Sequence, residues 1–213
     1  MNNKGNDILY LASQSSSRQK LLTLARIPFC VMAHTSNEEL VNDNPVSFGD
    51  YVQAIARDKM HCVELPSIDD VEREFLYVLT ADTLAQIKKT GVILGKPKDR
   101  VDGVRMLRLM QHELVEVVTG CCLHKYIKKS GHWELDVQKL WVTGAEVAFT
   151  VDDDSIDRYF EMLPEALYGC GAGIIEDYGQ LFLQSINGSY TAVLGLPLFE
   201  LRKELRALGF ISK

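Results

Sequence analysis

An apolar run, Ile8-Leu-Tyr-Leu-Ala12, leads into four serines and an arginine, Ser13-Gln-Ser-Ser-Ser-Arg18, where Leu21, Leu22, Leu24 and Ala25 begin a helical stripe. Hydroxyls, a guanidinium and the unpaired backbone N–H groups of a helix start all suit phosphate oxygens. The same residues also suit a plain N-cap followed by a solvated surface arginine, and the turn alone leaves both readings open. Three further residues could join phosphate chemistry. Lys59 shares a helical face with Val52, Ile55 and Ala56; it either snorkels to water or aims a cation into a cleft. Asp82 stands in Thr80-Ala-Asp-Thr83, just past the apolar run Phe75–Leu79, the usual place for ligand chemistry at a buried strand's carboxyl end. Lys96 projects from the turn Gly95-Lys-Pro97.

These side chains need a frame, and the pattern supplies an α/β one. After the first strand and helix, Phe29–Ala33 reads as a second strand, and His34–Pro45 as a polar loop. A helix is expected over Ser47–Cys62, a buried strand over Phe75–Leu79 ending at Thr80, a short strand at Val92–Leu94 and a helix over Asp99–Met110, weakened by Gly103. Glu113–Lys125 and Trp133–Val151 read as long neighbouring antiparallel strands joined through Lys128-Lys-Ser-Gly131. Asp152-Asp-Asp-Ser155 resembles a metal cluster but reads better as the cap of a helix carrying Ile156, Tyr159, Phe160 and Leu163. The glycine-rich stretch from Tyr168 is expected to lead into a strand over Gln180–Ile186. Asn187-Gly188 follows as a tight turn, Val193–Leu196 as an apolar run, and Pro197 opens a last helix through Leu198, Leu201, Leu205 and Leu208.

Composition narrows the partners. The 213 residues are 46% hydrophobic, enough for a real core in one domain spanning 1–213 or two closely packed lobes. A net charge of −6 argues against nucleic-acid polymers and anionic membranes, which need a basic surface, while a small nucleotide needs only a few local cations. With no signal-like segment or long apolar span, a cytoplasmic location is expected. The five cysteines form no even framework or paired CxxC sites, so reduced thiols are expected. Adjacent Cys121 and Cys122 should face opposite sides of a strand, with at most one buried, and Cys170 has no base near it in sequence.

Taken in order, Leu11-Ala-Ser13 with Arg18, Ala81-Asp-Thr83, Gly95-Lys-Pro97, Ile186-Asn-Gly-Ser-Tyr190 and Gly195-Leu-Pro197 make a set that resembles the Maf family of nucleoside triphosphate pyrophosphatases, over nearly the whole chain. The resemblance implies an elongated, mixed-sheet α/β fold of the ITPase-like (Maf/Ham1) kind, with two lobes around a central cleft, often as a homodimer. It implies hydrolysis of a nucleoside triphosphate to the monophosphate and pyrophosphate with a divalent metal, Mg²⁺ or Mn²⁺. Carried onto this chain, Ser13 and Arg18 look like phosphate ligands and Lys59 and Lys96 like cations on the triphosphate. Glu38 and Asp82 look like the acidic pair that holds metal, Asp82 matching the family's proposed base. Ser17, Thr83 and Glu176 fall where the family discriminates the base.

The chain departs from that pattern. Where family members carry LASxSPRRxELL, it reads LASQSSSRQKLL, with Ser16, Ser17 and Lys20 in place of proline, arginine and glutamate. Where they carry DKAGAYGIQG, it reads Tyr168-Gly-Cys-Gly-Ala-Gly-Ile-Ile-Glu176-Asp177, without the usual lysine and with Glu176 for glutamine. Family members preferring dTTP and UTP typically combine Arg, Thr and Gln, and those preferring 7-methyl-GTP combine Trp, Gln and Glu; Ser17, Thr83 and Glu176 mix the two. A carboxylate accepts hydrogen bonds from a guanine edge and lacks the amide's donor, so a purine or modified base is expected. The alternative is a nucleotide-binding or regulatory protein that kept the fold and lost turnover.

Overall fold

The computed structural model describes residues 7–33 and 47–211. The loop expected over His34–Pro45 lies outside the described residues. The strands are β1 (Leu9–Leu11), β2 (Phe29–Val31), β3 (Phe75–Ile87), β4 (Ile93–Leu94), β5 (Leu114–Lys129), β6 (His132–Phe149) and β7 (Leu183–Gly188). The helices are α1 (Ser16–Leu24), α2 (Phe48–His61), α3 (Arg100–Met110), α4 (Ile156–Met162), α5 (Tyr190–Val193) and α6 (Leu198–Ala207). The strands form one mixed seven-stranded sheet in the order β2-β1-β3-β5-β6-β7, with β4 added on β3. β1 pairs in parallel with both β2 and β3, whereas β4 on β3 and β7 on β6 are antiparallel.

Two compact units divide the chain, with β3, β5 and β6 each contributing a segment to both. The first unit takes residues up to Asp82, Gly120–Val142 and Gly195 onward. Its core includes Ala12, Met60, Val71, Leu76, Val78 and Cys122. α2 starts where Ser47 Oγ accepts the Asp50 N–H, and it buries Tyr51, Val52, Ile55, Ala56, Lys59 and Met60 along one face. α6 follows Pro197 and buries Leu201 and Leu205.

The second unit takes Thr83–Thr119 and Thr143–Leu194. Here Met106, Leu107 and Met110 of α3 join Val147, Phe149, Tyr159 and Phe160 in one core, with Phe182 stacked edge-on against Phe149 and Tyr159. Buried Tyr159 donates to Ala172 O and accepts from Ile174 N, which ties down the glycine-rich stretch. Gly103 has a packing reason: a Cβ there would stand 2.8 Å from the Phe160 ring.

Several expectations are corrected. β3 does not end at Thr80 but runs to Ile87, so Asp82 sits within a strand. Its polar residues are tolerated because they are paired: Thr80 donates to Ala56 O at 2.6 Å and Asp82 meets Lys59. Cys121 and Cys122 are both fully buried, because β5 is covered on both faces at this point. Ser155 stands at the start of α4 without a side-chain capping bond. Of the aspartates before it, Asp153 pairs with Arg108 and Gln111, while Asp154 accepts from Ser155 Oγ. The glycine-rich stretch forms successive 3₁₀ turns rather than leading straight to a strand, and β7 begins only at Leu183. Asn187 and Gly188 close β7 opposite Glu146 and Ala145 instead of forming a hairpin turn.

Candidate active site

The serine-rich turn builds the first part of the site. Ser15 caps α1 by accepting the Arg18 N–H. Arg18 is buried, not solvated: its Nε donates to Gly195 O at 2.8 Å and its Nη1 to Ser13 Oγ at 2.9 Å. Ser13 Oγ also accepts the Ser15 N–H, so two donors converge on that hydroxyl and orient it. Gly195 has φ +103, a backbone conformation in which glycine is at ease, and its carbonyl there meets Arg18.

The second part is the pair Lys59–Asp82. Lys59 does not snorkel to water; its side chain is 5% exposed and its Nζ donates to Asp82 Oδ1 at 2.6 Å. The Thr80–Ala56 bond fastens β3 to α2 one turn before Lys59. Sheet register brings the two parts together. Leu11 pairs with Leu79, and the Ala12 N–H bonds Leu79 O, so Ser13 leaves β1 alongside the stretch of β3 that reaches Asp82. Tyr51 on α2 lies near as well: burial first, and then the charge of Asp82, raise its phenol above the ordinary range. Ser17 is half-buried in the first turn of α1.

Thr83, Lys96 and Glu176 belong to the second unit. Thr83 is half-buried and its hydroxyl lies 2.8 Å from that of Thr119. Lys96 is exposed on its turn, where Gly95 O accepts the Gly171 N–H. Glu176 is half-buried and starts a 3₁₀ turn. Its charge helps raise the phenol pKa of Tyr190, after burial and ahead of Asp177. Glu38 lies outside the described residues. Cys170 donates its thiol proton to Leu94 O at 2.9 Å, a structural use.

Among the described residues no group of three or more His, Cys, Asp or Glu could by itself hold a metal ion. A single carboxylate such as Asp82 does fit Mg²⁺, which commonly takes one or two carboxylates and completes its shell with water and substrate phosphates.

Sequence reasoning overlooked Thr80, Tyr51 and Thr119. A threonine or tyrosine in a strand or helix carries no local mark of the partner it will meet. The Gly195-Leu-Pro197 block pointed at Gly195, though not at its carbonyl as the anchor of Arg18.

Residues 8–208 match the family described as Maf-like protein. The chain belongs to the Maf family. This Maf-family chain is 32% identical over 212 residues to a dTTP/UTP pyrophosphatase of Dechloromonas aromatica, covering 95% of this chain and 98% of that protein. It is 36% identical to a dTTP/UTP pyrophosphatase of Anaeromyxobacter dehalogenans, covering 95% and 94% respectively, and 35% identical to one of Hydrogenovibrio crunogenus, covering 96% and 98%. A solved HAM1 protein from Coxiella burnetii has 12% identity and a TM-score of 0.33, over 67% of this chain and 72% of that one, a likeness too slight to bear on fold or function.

Proposed function

We propose that this Maf-family chain hydrolyses a nucleoside triphosphate to the monophosphate and pyrophosphate. The ion pair of buried Lys59 with half-buried Asp82, beside the Ser13–Arg18 turn, carries the reading. A lysine paired with a carboxylate, and an arginine that orients a serine hydroxyl, make a set suited to a polyanion and an activated water. The curated relatives' shared activity supports it.

In this reading Asp82 accepts the proton of a water that attacks the α-phosphorus. The bond from that phosphorus to the bridging oxygen breaks, and pyrophosphate leaves with the bonding pair. Arg18, Ser13 and Lys59 stabilise the charge that gathers on the phosphates, and Lys96 is proposed as a further cation on the triphosphate. Asp82, with Glu38, would hold a divalent cation, Mg²⁺ or Mn²⁺, that neutralises phosphate charge when bound. Ser17, Thr83 and Glu176 are proposed at the base. The relatives are named for dTTP and UTP, whereas Glu176 favours an edge that donates, as guanine's does. We also propose a cytoplasmic homodimer that binds neither nucleic-acid polymers nor membranes. No helix among the described residues is long and apolar enough to cross a membrane.

The deciding experiment is pyrophosphate release across canonical, methylated and deaminated triphosphates, with and without Mg²⁺ or Mn²⁺. Release that collapses in Asp82→Asn supports the assignment, and release that survives it overturns the role of Asp82. Binding without release for every nucleotide would make the chain a nucleotide-binding protein instead. If dTTP and UTP outran every guanine nucleotide, the preference drawn from Glu176 would fall. Sedimentation at several concentrations tests the dimer.

A further inference from the structure

Lys96 stands at the tip of a turn whose backbone is fastened on both sides. Ahead of it, two consecutive carbonyls take two consecutive donors from the glycine-rich stretch. The Cys170 thiol donates to Leu94 O at 2.9 Å and the Gly171 N–H to Gly95 O at 2.8 Å. Beyond it, the ring of Pro97 fixes φ, and the Lys98 N–H donates to Asp102 Oδ2 of α3 at 3.1 Å. The donors are themselves held. Buried Tyr159 bonds Ala172 O and Ile174 N just after them, and Gly171 takes φ +63 against Met110 Sδ, which a Cβ there would meet at 3.4 Å. A line of bonds thus runs from the core of the second unit to either side of Lys96, all within that unit.

We propose that Cys170 is a positioning residue for Lys96: with Gly171, its thiol fixes the backbone from which the exposed ammonium is presented to phosphate. This rests on the reading of Lys96 as a cation on the triphosphate. A lysine on a loose turn gives up backbone as well as side-chain freedom when it meets an anion. On a turn already fixed only the side chain is ordered, so less of the attraction is spent and binding is tighter. The Gly171 bond comes from the backbone, whereas the Cys170 bond comes from a half-buried side chain that substitution can remove. The family block DKAGAYGIQG holds no cysteine, so this half of the clip belongs to the present chain. Cys170 itself touches no substrate in this scheme. A thiol is a weak donor, which keeps the expected effect small and makes its coupling to Lys96 the decisive readout.

The test is calorimetric binding of α,β-methylene-UTP and α,β-methylene-GTP, triphosphates whose α–β bridge cannot be hydrolysed, to Cys170→Ala, Lys96→Met and the double variant. Cys170→Ala should raise Kd about threefold, the size of one weak hydrogen bond. Lys96→Met should raise it about tenfold, as expected for a bond to a charged group. Adding Cys170→Ala to Lys96→Met should change nothing more, because the thiol acts only through the ammonium. Cys170→Ser keeps a donor and should recover most of the loss. Amide hydrogen exchange at residues 95–98 should quicken about threefold in Cys170→Ala while the rest of α3 keeps its protection. If Lys96→Met weakens binding and Cys170→Ala does not, or if Cys170→Ala costs the same in both backgrounds, the role of Cys170 is overturned and the reading of Lys96 stands. If Lys96→Met leaves binding unchanged, the reading of Lys96 falls, and the role of Cys170 falls with it.

Discussion

Two sites make opposite demands on water. Lys59 is buried and its partner Asp82 half-buried, so each depends on the other. Removing the ammonium in Lys59→Met leaves a half-buried carboxylate without its partner, and urea unfolding should show a loss of about 2 kcal/mol. The double replacement Lys59→Met with Asp82→Leu should recover much of that, although it forfeits any chemistry at the site. His124 of β5 is the converse, a titratable group kept neutral. Burial first, and then the charge of His61, push its pKa down from 6.5 to about 4. Gln138 Nε2 lies 2.8 Å from its Nε2 and Tyr126 Oη 2.9 Å from its Nδ1, so the amide donates to Nε2 and the Nδ1–H donates to Tyr126. The unfolded chain takes up the proton first as pH drops. Stability is therefore complete above pH 6.5 and declines as pH falls toward 4, by about 3 kcal/mol in all. Urea midpoints across that window should show the slope, and His124→Gln should flatten it. At this scale the place of Arg18 at a helix start was legible, because serines precede an apolar helical stripe there. That Lys59 would be buried against Asp82 was not, because a lysine on an apolar helical face serves equally well with its head in water.

Elements were legible where period and caps agreed. Ser47 and the face Val52, Ile55, Ala56 and Lys59 place α2 correctly, and Asp99 caps α3 by accepting the Asp102 N–H. The misjudged elements are those whose residues answer to distant partners. β3 continues past Thr80 because Ala56 O on a helix satisfies the threonine, something no window of sequence around Thr80 contains. Cys121 and Cys122 are both buried because β5 lies inside the sheet, whereas strict alternation assumes one wet face. Gly103 looked like a weakness in α3 and is a contact instead. Gly103→Ala gains helix propensity but drives a methyl to 2.8 Å from Phe160 and 3.3 Å from Leu167. Overpacking should win, with a net loss of about 1 kcal/mol by urea unfolding. Gly103→Ala combined with Phe160→Leu should lose less than the two single changes summed, since the methyl then has room.

For the whole molecule, a site that binds a triphosphate must stabilise the folded chain by linkage. A nonhydrolysable triphosphate at 100 times its Kd should add about 2.7 kcal/mol and raise Tm by roughly 5 to 10 °C. Scanning calorimetry checks this, and Lys59→Met should cancel most of the shift if its ammonium meets the phosphates. What the sequence determined by itself was the set of parts: a Ser-rich strand-to-helix turn, an acid in Ala81-Asp-Thr83, lysines at 59 and 96, and a mixed α/β order that together resemble one family. Those signals are local, written in side-chain type and period within a turn or two of chain. The tertiary structure alone decided how the parts are joined. Arg18 is held by the carbonyl of Gly195, 177 residues away, Lys59 by Asp82, and the Thr83 hydroxyl lies against that of Thr119. Each is a hydrogen-bond partnership between distant segments, and sheet register and helix packing choose such partners. The residues thus declare which chemistry is available, while the fold settles which partner each of them meets.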